Sequence, residues 1–183
     1  MKIIDKAVVY NHDDISTDQI FPGPYAAALD LTNPEMLASI ALIGADPTLR
    51  ERFKTVGGIL VVGNNFGCGS SREYAVMVLQ AAGVKAVIVK SAARIWYRNA
   101  VNLALPVIFC PSLPDAVKEG AGLEIDLETG KITVQATGTV HQGEAPSEFV
   151  LGMWKLGGLK PLMRQRIAEK CAEIGACHTA VKA

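Results

Sequence analysis

Ser70, Ser71, Arg72 and Glu73 stand side by side in Gly63-Asn-Asn-Phe-Gly-Cys-Gly-Ser-Ser-Arg-Glu-Tyr-Ala75, a stretch rich in glycine between an apolar run and a helical one. Two hydroxyls beside a guanidinium could hold a carboxylate, and one hydroxyl could serve as a base or nucleophile if cations lowered its pKa. Nucleotide chemistry is excluded. A phosphate-cradling loop needs Gly-Lys-Ser/Thr, and no lysine occurs between Lys54 and Lys85. The dinucleotide fingerprint fails because Arg72 stands where its third glycine belongs. The nucleophile elbow Gly-x-Ser-x-Gly fails on the adjacent serines and the missing closing glycine. A structural reading stands beside the chemical one, because Ser70-x-x-Glu73 has the pattern of a helix capping box. The two are compatible, since a helix amino terminus with free N–H groups suits a bound carboxylate or a serine alkoxide.

Other groups carry weaker signals. Asp14-x-Ser16-x-Asp18 alternates oxygens like a calcium loop, but Gln19 replaces the required glycine and no glutamate closes it. His12, His141 and His178 are far apart in sequence and read as surface or packing residues. Cys171, Cys177 and His178 do not have zinc spacing. Arg94 and Arg98, four apart on a helix, fit surface or interface ion pairs.

The elements that must position these residues alternate in type. Apolar runs at 58–63, 86–90 and 106–110 read as strands, with helices between them at 72–82, ended by Gly83, and from Ser91 to about Leu103. That alternation favours parallel pairing and an α/β class. Residues 2–10 fit a further strand, followed by an Asp- and Pro-rich loop over 11–25 and a helix over about 34–42. Beyond Pro111 the pattern changes to a hairpin, with strands at 123–127 and 132–134 around Glu128-Thr-Gly-Lys131. Residues 147–175 read as two helical pieces broken at Gly157-Gly158 and Pro161. The 183 residues fit one domain, 1–183, with a helical extension from about 147. Eighteen Lys plus Arg against eighteen Asp plus Glu argue against nucleic acid or an acidic membrane as partner. The start, MKIIDKAVVYNHDD, lacks a signal peptide's apolar core, no apolar run is long enough for a membrane span, and the four cysteines show no CxxC. A cytoplasmic location with reduced thiols is expected.

Taken in order, Ser16-Thr-Asp-Gln-Ile-Phe-Pro-Gly-Pro-Tyr25, then Gly63 to Glu73, then Ala86-Val-Ile-Val-Lys-Ser-Ala-Ala-Arg-Ile-Trp-Tyr-Arg-Asn-Ala100 and Leu105-Pro-Val107 resemble the small subunit of 3-isopropylmalate dehydratase, the separately encoded swivel domain of the aconitase superfamily. The resemblance is strong over about residues 3–111 and loose beyond. It implies a swivelling β/β/α domain of the aconitase type, a mixed sheet flanked by helices. It also implies a hydro-lyase that interconverts 2- and 3-isopropylmalate by dehydration and rehydration in leucine biosynthesis. Another substituted malate, of the 2,3-dimethylmalate or homoaconitate type, or a non-catalytic anion-binding or assembly module, is the alternative.

By the same resemblance Ser70 is the base that removes a carbon-bound proton, Ser71 and Arg72 hold a substrate carboxylate, and Asp18 and Glu73 support the site. A [4Fe–4S] cluster is expected in a large partner subunit, with no cofactor or metal bound by this chain. Cys68 is expected to be a small packed residue rather than a ligand. Tyr74 stands where relatives often carry histidine or glutamine. The loop Ala26, Ala27, Ala28, Leu29, Asp30, Leu31 and Thr32, which corresponds to the family's specificity loop, lacks the arginine common there. An unpaired buried charge is costly, so a pocket without that cation favours an apolar substituent over a distal carboxylate.

Overall fold

The computed structural model describes residues 1–26 and 32–174. Its frame is a seven-stranded sheet in the order β4-β3-β2-β1-β5-β6-β7. β1 (Lys2–Tyr10), β2 (Ile59–Val62), β3 (Ala86–Val89) and β4 (Val107–Phe109) run parallel. β5 (Gly122–Asp126), β6 (Lys131–Val134) and β7 (Val140–Gln142) continue the sheet antiparallel from the other edge of β1. The hairpin expected between 123 and 134 is the β5–β6 pair, and β7 adds a strand that the short run Val140-His-Gln did not announce.

β2 and β3 are buried at every residue, as strands covered on both faces must be. Their alternation divides the core. Val8, Leu60, Val62, Val87, Val89 and Val107 face one layer, built by α1 (Thr17–Ile20), α3 (Pro34–Ile40), α4 (Leu49–Thr55) and α5 (Tyr74–Ala81). Ala7, Ile59, Val61, Ala86, Ile88 and Ile108 face the other layer, with Leu123, Ile125, Ile132, Met153 and Trp154. Each fully buried Val, Leu or Ile contributes about 1.5–3 kcal/mol to the two layers.

α6 (Arg94–Asn102) bridges the layers, with Trp96 in the first and Val101 in the second. Between α7 (Glu148–Leu156) and α8 (Leu159–Ile174), Gly157 is left-handed at φ 86, which makes the expected break. Pro161 does not break the helix again. It lies in the first turn of α8, where no intrahelical N–H is lost. Among the described residues no helix is long and apolar enough to cross a membrane.

Candidate functional site

At the carboxyl ends of the parallel strands the chain segments that carried the family motifs are bonded to one another. Residues 12–17 run beside 63–68. Gly63 N–H donates to His12 O at 3.1 Å, Asp14 N–H to Asn64 O at 2.9 Å, Gly67 N–H to Ile15 O at 2.7 Å, and Thr17 N–H to Cys68 O at 2.7 Å. The third segment closes on the same loop, where Phe66 N–H donates to Ser91 O, Ala93 N–H to Phe66 O, and Asn65 N–H to Ser91 Oγ at 2.8 Å. Ser91 therefore braces the loop instead of opening a helix, and α6 begins only at Arg94.

Local backbone chemistry allows this close approach. Gly67 is left-handed, and a Cβ there would overlap the Trp96 ring, which also meets Phe66 edge-on at 4.7 Å. Asp14 and Asn65 are both left-handed, at φ 57 and 53, a conformation that Asn and Asp tolerate better than other side chains. Their side chains bond, Asn65 Nδ2 donating to Asp14 Oδ1 at 2.8 Å. Asp13 Oδ1 accepts from Asn64 N–H at 2.6 Å, and the backbone and amide bonds from Asn64 hold its carboxyl below the usual carboxylate range.

α5 starts later than the sequence suggests. Its N-cap is Glu73, already in the right-handed region and without a side-chain cap bond, so the expected Ser70–Glu73 capping box is not formed. The capping box in this part of the molecule is Ser16–Gln19. Ser16 Oγ accepts from Gln19 N–H, and Gln19 Oε1 accepts from Ser16 N–H at 2.8 Å. Ser16-x-x-Gln19 carries that signal in the sequence as plainly as Ser70-x-x-Glu73, and the Pro-rich loop around it obscures it. Freed from capping, Ser70 and Ser71 are exposed, and neither hydroxyl has a hydrogen-bond partner among the described residues. None of the backbone N–H groups from Gly69 to Tyr74 has one either. Such a run of donors without protein partners before a helix could receive an anion.

Arg72 is half-buried, and it is where the two segments meet. Its Nη1 pairs with Asp18 Oδ1 at 2.5 Å and donates to Phe21 O at 3.2 Å. Gly23 passes under the guanidinium, where a Cβ would lie 3.6 Å from Nη1. Nη2 and Nε make no hydrogen bond among the described residues, so one edge of the fork is fixed and the other is available. Glu73 contributes no side-chain bond, and its carbonyl accepts from Val76 N–H. Tyr74 packs its ring 5.5 Å from Phe21, on the same α1 segment.

Cys68 is half-buried in the bridge to Ser16, with Sγ 3.5 Å from Asp14 O, as a small packed residue would be. His12 stacks on Tyr10 at 4.3 Å, and His141 Nδ1 lies 3.3 Å from Ser112 Oγ. Arg94 and Arg98 are exposed, and neither has an ion-pair partner among the described residues. Among those residues no group of three or more His, Cys, Asp or Glu could hold a metal ion. In the 26–32 loop, residues 27–31 lie outside the described residues, as do Cys177 and His178. A cleft of about 420 Å³ between α3 and α4 is lined by Glu35, Ala38, Ser39, Arg50, Glu51 and Lys54, none of them from the motif segments.

Known proteins resemble this chain in sequence and in fold. Residues 45–111 match the aconitase C-terminal domain. The isopropylmalate/citramalate isomerase small subunit of Methanocaldococcus jannaschii is 44% identical over 92% of this chain and 99% of its own length. The chain belongs to the 3-isopropylmalate dehydratase small-subunit family. The small subunit 1 of Methanopyrus kandleri, named for that enzyme, is 43% identical over 84% of this chain and 88% of its own. The crystal structure of 3-isopropylmalate dehydratase from M. jannaschii superposes with a TM-score of 0.84 at 38% identity, covering 94% of this chain and 99% of that one. The mixed sheet with flanking helices is thus the fold of this family, of the aconitase C-terminal type.

Proposed function

We propose that this chain is the small subunit of a heteromeric hydro-lyase that interconverts 2- and 3-isopropylmalate, and that it supplies the base and one carboxylate site of a shared active centre. The observation that carries this reading is the Asp18–Arg72 pair. It joins the Thr-Asp-Gln-Ile segment to the Ser-Ser-Arg-Glu segment and leaves Nη2 and Nε of the guanidinium without a hydrogen bond among the described residues, next in sequence to two unpartnered hydroxyls.

Arg72 Nη2 and Nε, Ser71 and the free N–H groups of 72–74 hold one carboxylate of the substrate. That fixes the neighbouring C–H against Ser70 Oγ, which takes the proton. The C–H electron pair forms the C=C bond as the hydroxyl leaves the adjacent carbon, where a proton donor on the partner chain would convert it to water, and readdition with H and OH on exchanged carbons gives the other isomer. A serine of ordinary pKa is a poor base, so its alkoxide needs nearby positive charge. The α5 dipole is weak support here, since the effect falls off within a turn and the helix begins at Tyr74. Asp18 also offsets part of the charge on Arg72. The unsatisfied N–H groups next to Ser70 therefore stabilise the alkoxide most directly, and they act more strongly once water is excluded.

The exposure of Ser70 and Ser71 fits a site completed by another chain. The large subunit would carry the [4Fe–4S] cluster, which supplies a Lewis-acid iron for the departing hydroxyl. Cys68 and Cys110 are unbridged, which suits a reducing cytoplasm. The chain acts as one swivel unit with α7 and α8 as its helical extension, and the arginine-free 26–32 segment accepts the apolar isopropyl group.

The test is anaerobic reconstitution with the large subunit, assayed on both isopropylmalates and on citramalate. Turnover of isopropylmalate only when both chains are present is expected, and a chain that binds no large subunit would refute the subunit assignment. Ala27→Arg is expected to move preference toward substrates with a distal carboxylate. Unchanged preference would remove the loop from substrate selection.

A further inference from the structure

Thr17 is 1% exposed, and its Oγ1 has no hydrogen-bond partner. Buried hydroxyls are rarely left so, because the bond lost to water is not replaced. The other buried orphan donors belong to Trp96, Asn99 and Trp154. Thr17 differs from them in its position. Its own N–H donates to Cys68 O at 2.7 Å, and a Cβ placed on Gly69 would lie 3.4 Å from Oγ1. The hydroxyl therefore sits directly beneath the residue that precedes Ser70. Gly69 is left-handed at φ 94, and the carbonyl of Gly69 and N–H of Ser70 have no partner among the described residues. A donor-acceptor hydroxyl without partners thus lies next to Gly69, whose carbonyl has none among the described residues either.

We infer that Thr17 is a positioning residue whose hydroxyl engages the Gly69–Ser70 peptide when the loop takes its substrate-bound form, and so sets the direction of Ser70 Oγ. This rests on Ser70 being the base. In the free chain the hydroxyl is an energetic liability, and in the assembled enzyme it becomes a hinge pin, so removing it has effects of opposite sign in the two states.

Thr17→Val keeps the shape and removes the hydroxyl, and Thr17→Ser keeps the hydroxyl. In the free chain, Thr17→Val is expected to raise the melting temperature by about 2–4 °C. In the reconstituted enzyme it is expected to lower kcat about 10- to 100-fold with KM changed less than about threefold, because a misaimed base costs rate rather than binding. Thr17→Ser is expected to stay within about threefold of wild type in kcat. Unchanged kcat in Thr17→Val would overturn the inference, as would a lower melting temperature with activity lost in proportion to folded complex. An inactive wild-type pair would instead overturn the proposed function, and this inference with it. An active wild type with an equally active Thr17→Val sinks this inference alone.

Discussion

The two halves of the sheet solve different problems with the same strand chemistry. Strands β5–β7 are antiparallel. β5 and β6 are joined by a tight turn, and Glu124 on β5 and Glu128 in the turn make the surface ion pairs Lys2–Glu124 and Lys155–Glu128. Strands β1–β4 are parallel, so each must be left by a long connection, and three of those connections converge at their carboxyl ends. Crossover connections give room for irregular backbone, buried polar bonding and exposed reactive groups, whereas a two-strand hairpin gives little. The antiparallel half is a buttress and the parallel half is a platform.

This division can be broken or sharpened by substitution. The largest expected effect is Ser70→Ala in the reconstituted enzyme. Loss of the base should lower kcat by about 10²–10⁴-fold with the complex intact on size exclusion, and near-normal turnover would show that Ser70 does no chemistry. Next comes Ile125→Ala in the buttress. Ile125 is fully buried. Its truncation should cost about 2–5 kcal/mol by denaturant unfolding, while kcat of the remaining folded enzyme stays unchanged. A loss of kcat there would dissolve the distinction between the halves. Asp18→Asn should raise KM about tenfold, because the fixed edge of Arg72 is released while its charge remains.

A smaller effect concerns pH. Asp13 has its carboxyl lowered in the folded chain by bonds from Asn64, so the stability it contributes is present above the ordinary Asp range, about 3.9, and is lost as pH falls through the lower folded value. Amide-exchange protection at Asn64 should therefore fall below about pH 4 before that of β2, and Asp13→Asn should flatten the dependence. Smallest of all is Lys2→Met at the exposed Lys2–Glu124 pair, where no measurable change in melting temperature is expected.

Much of the fold was legible in sequence because its signals are local. Val-rich runs at 59–62 and 86–89, Gly83 after α5, the Gly130 turn and the Gly157-Gly158 break all declare themselves through side-chain type. The short elements were not legible. α1, α2 (Gly23–Ala26) and β7 span a turn or less, or three residues, too little for a periodicity to build. The candidate site residues could be named from sequence, but their arrangement could not. The serine that reads as a cap is unpartnered, Ser16 caps instead, and Ser91 braces a loop.

By itself the sequence determined the α/β class and the motif segments, since these depend on composition and spacing along one chain. Only the tertiary structure decided that Asp18 fixes one edge of Arg72, that α5 begins after the Ser70 loop rather than on it, and that Thr17 lies beneath Gly69. Those facts depend on the distance between residues some fifty positions apart, which is set by the parallel register of β1 and β2 and not by any local preference.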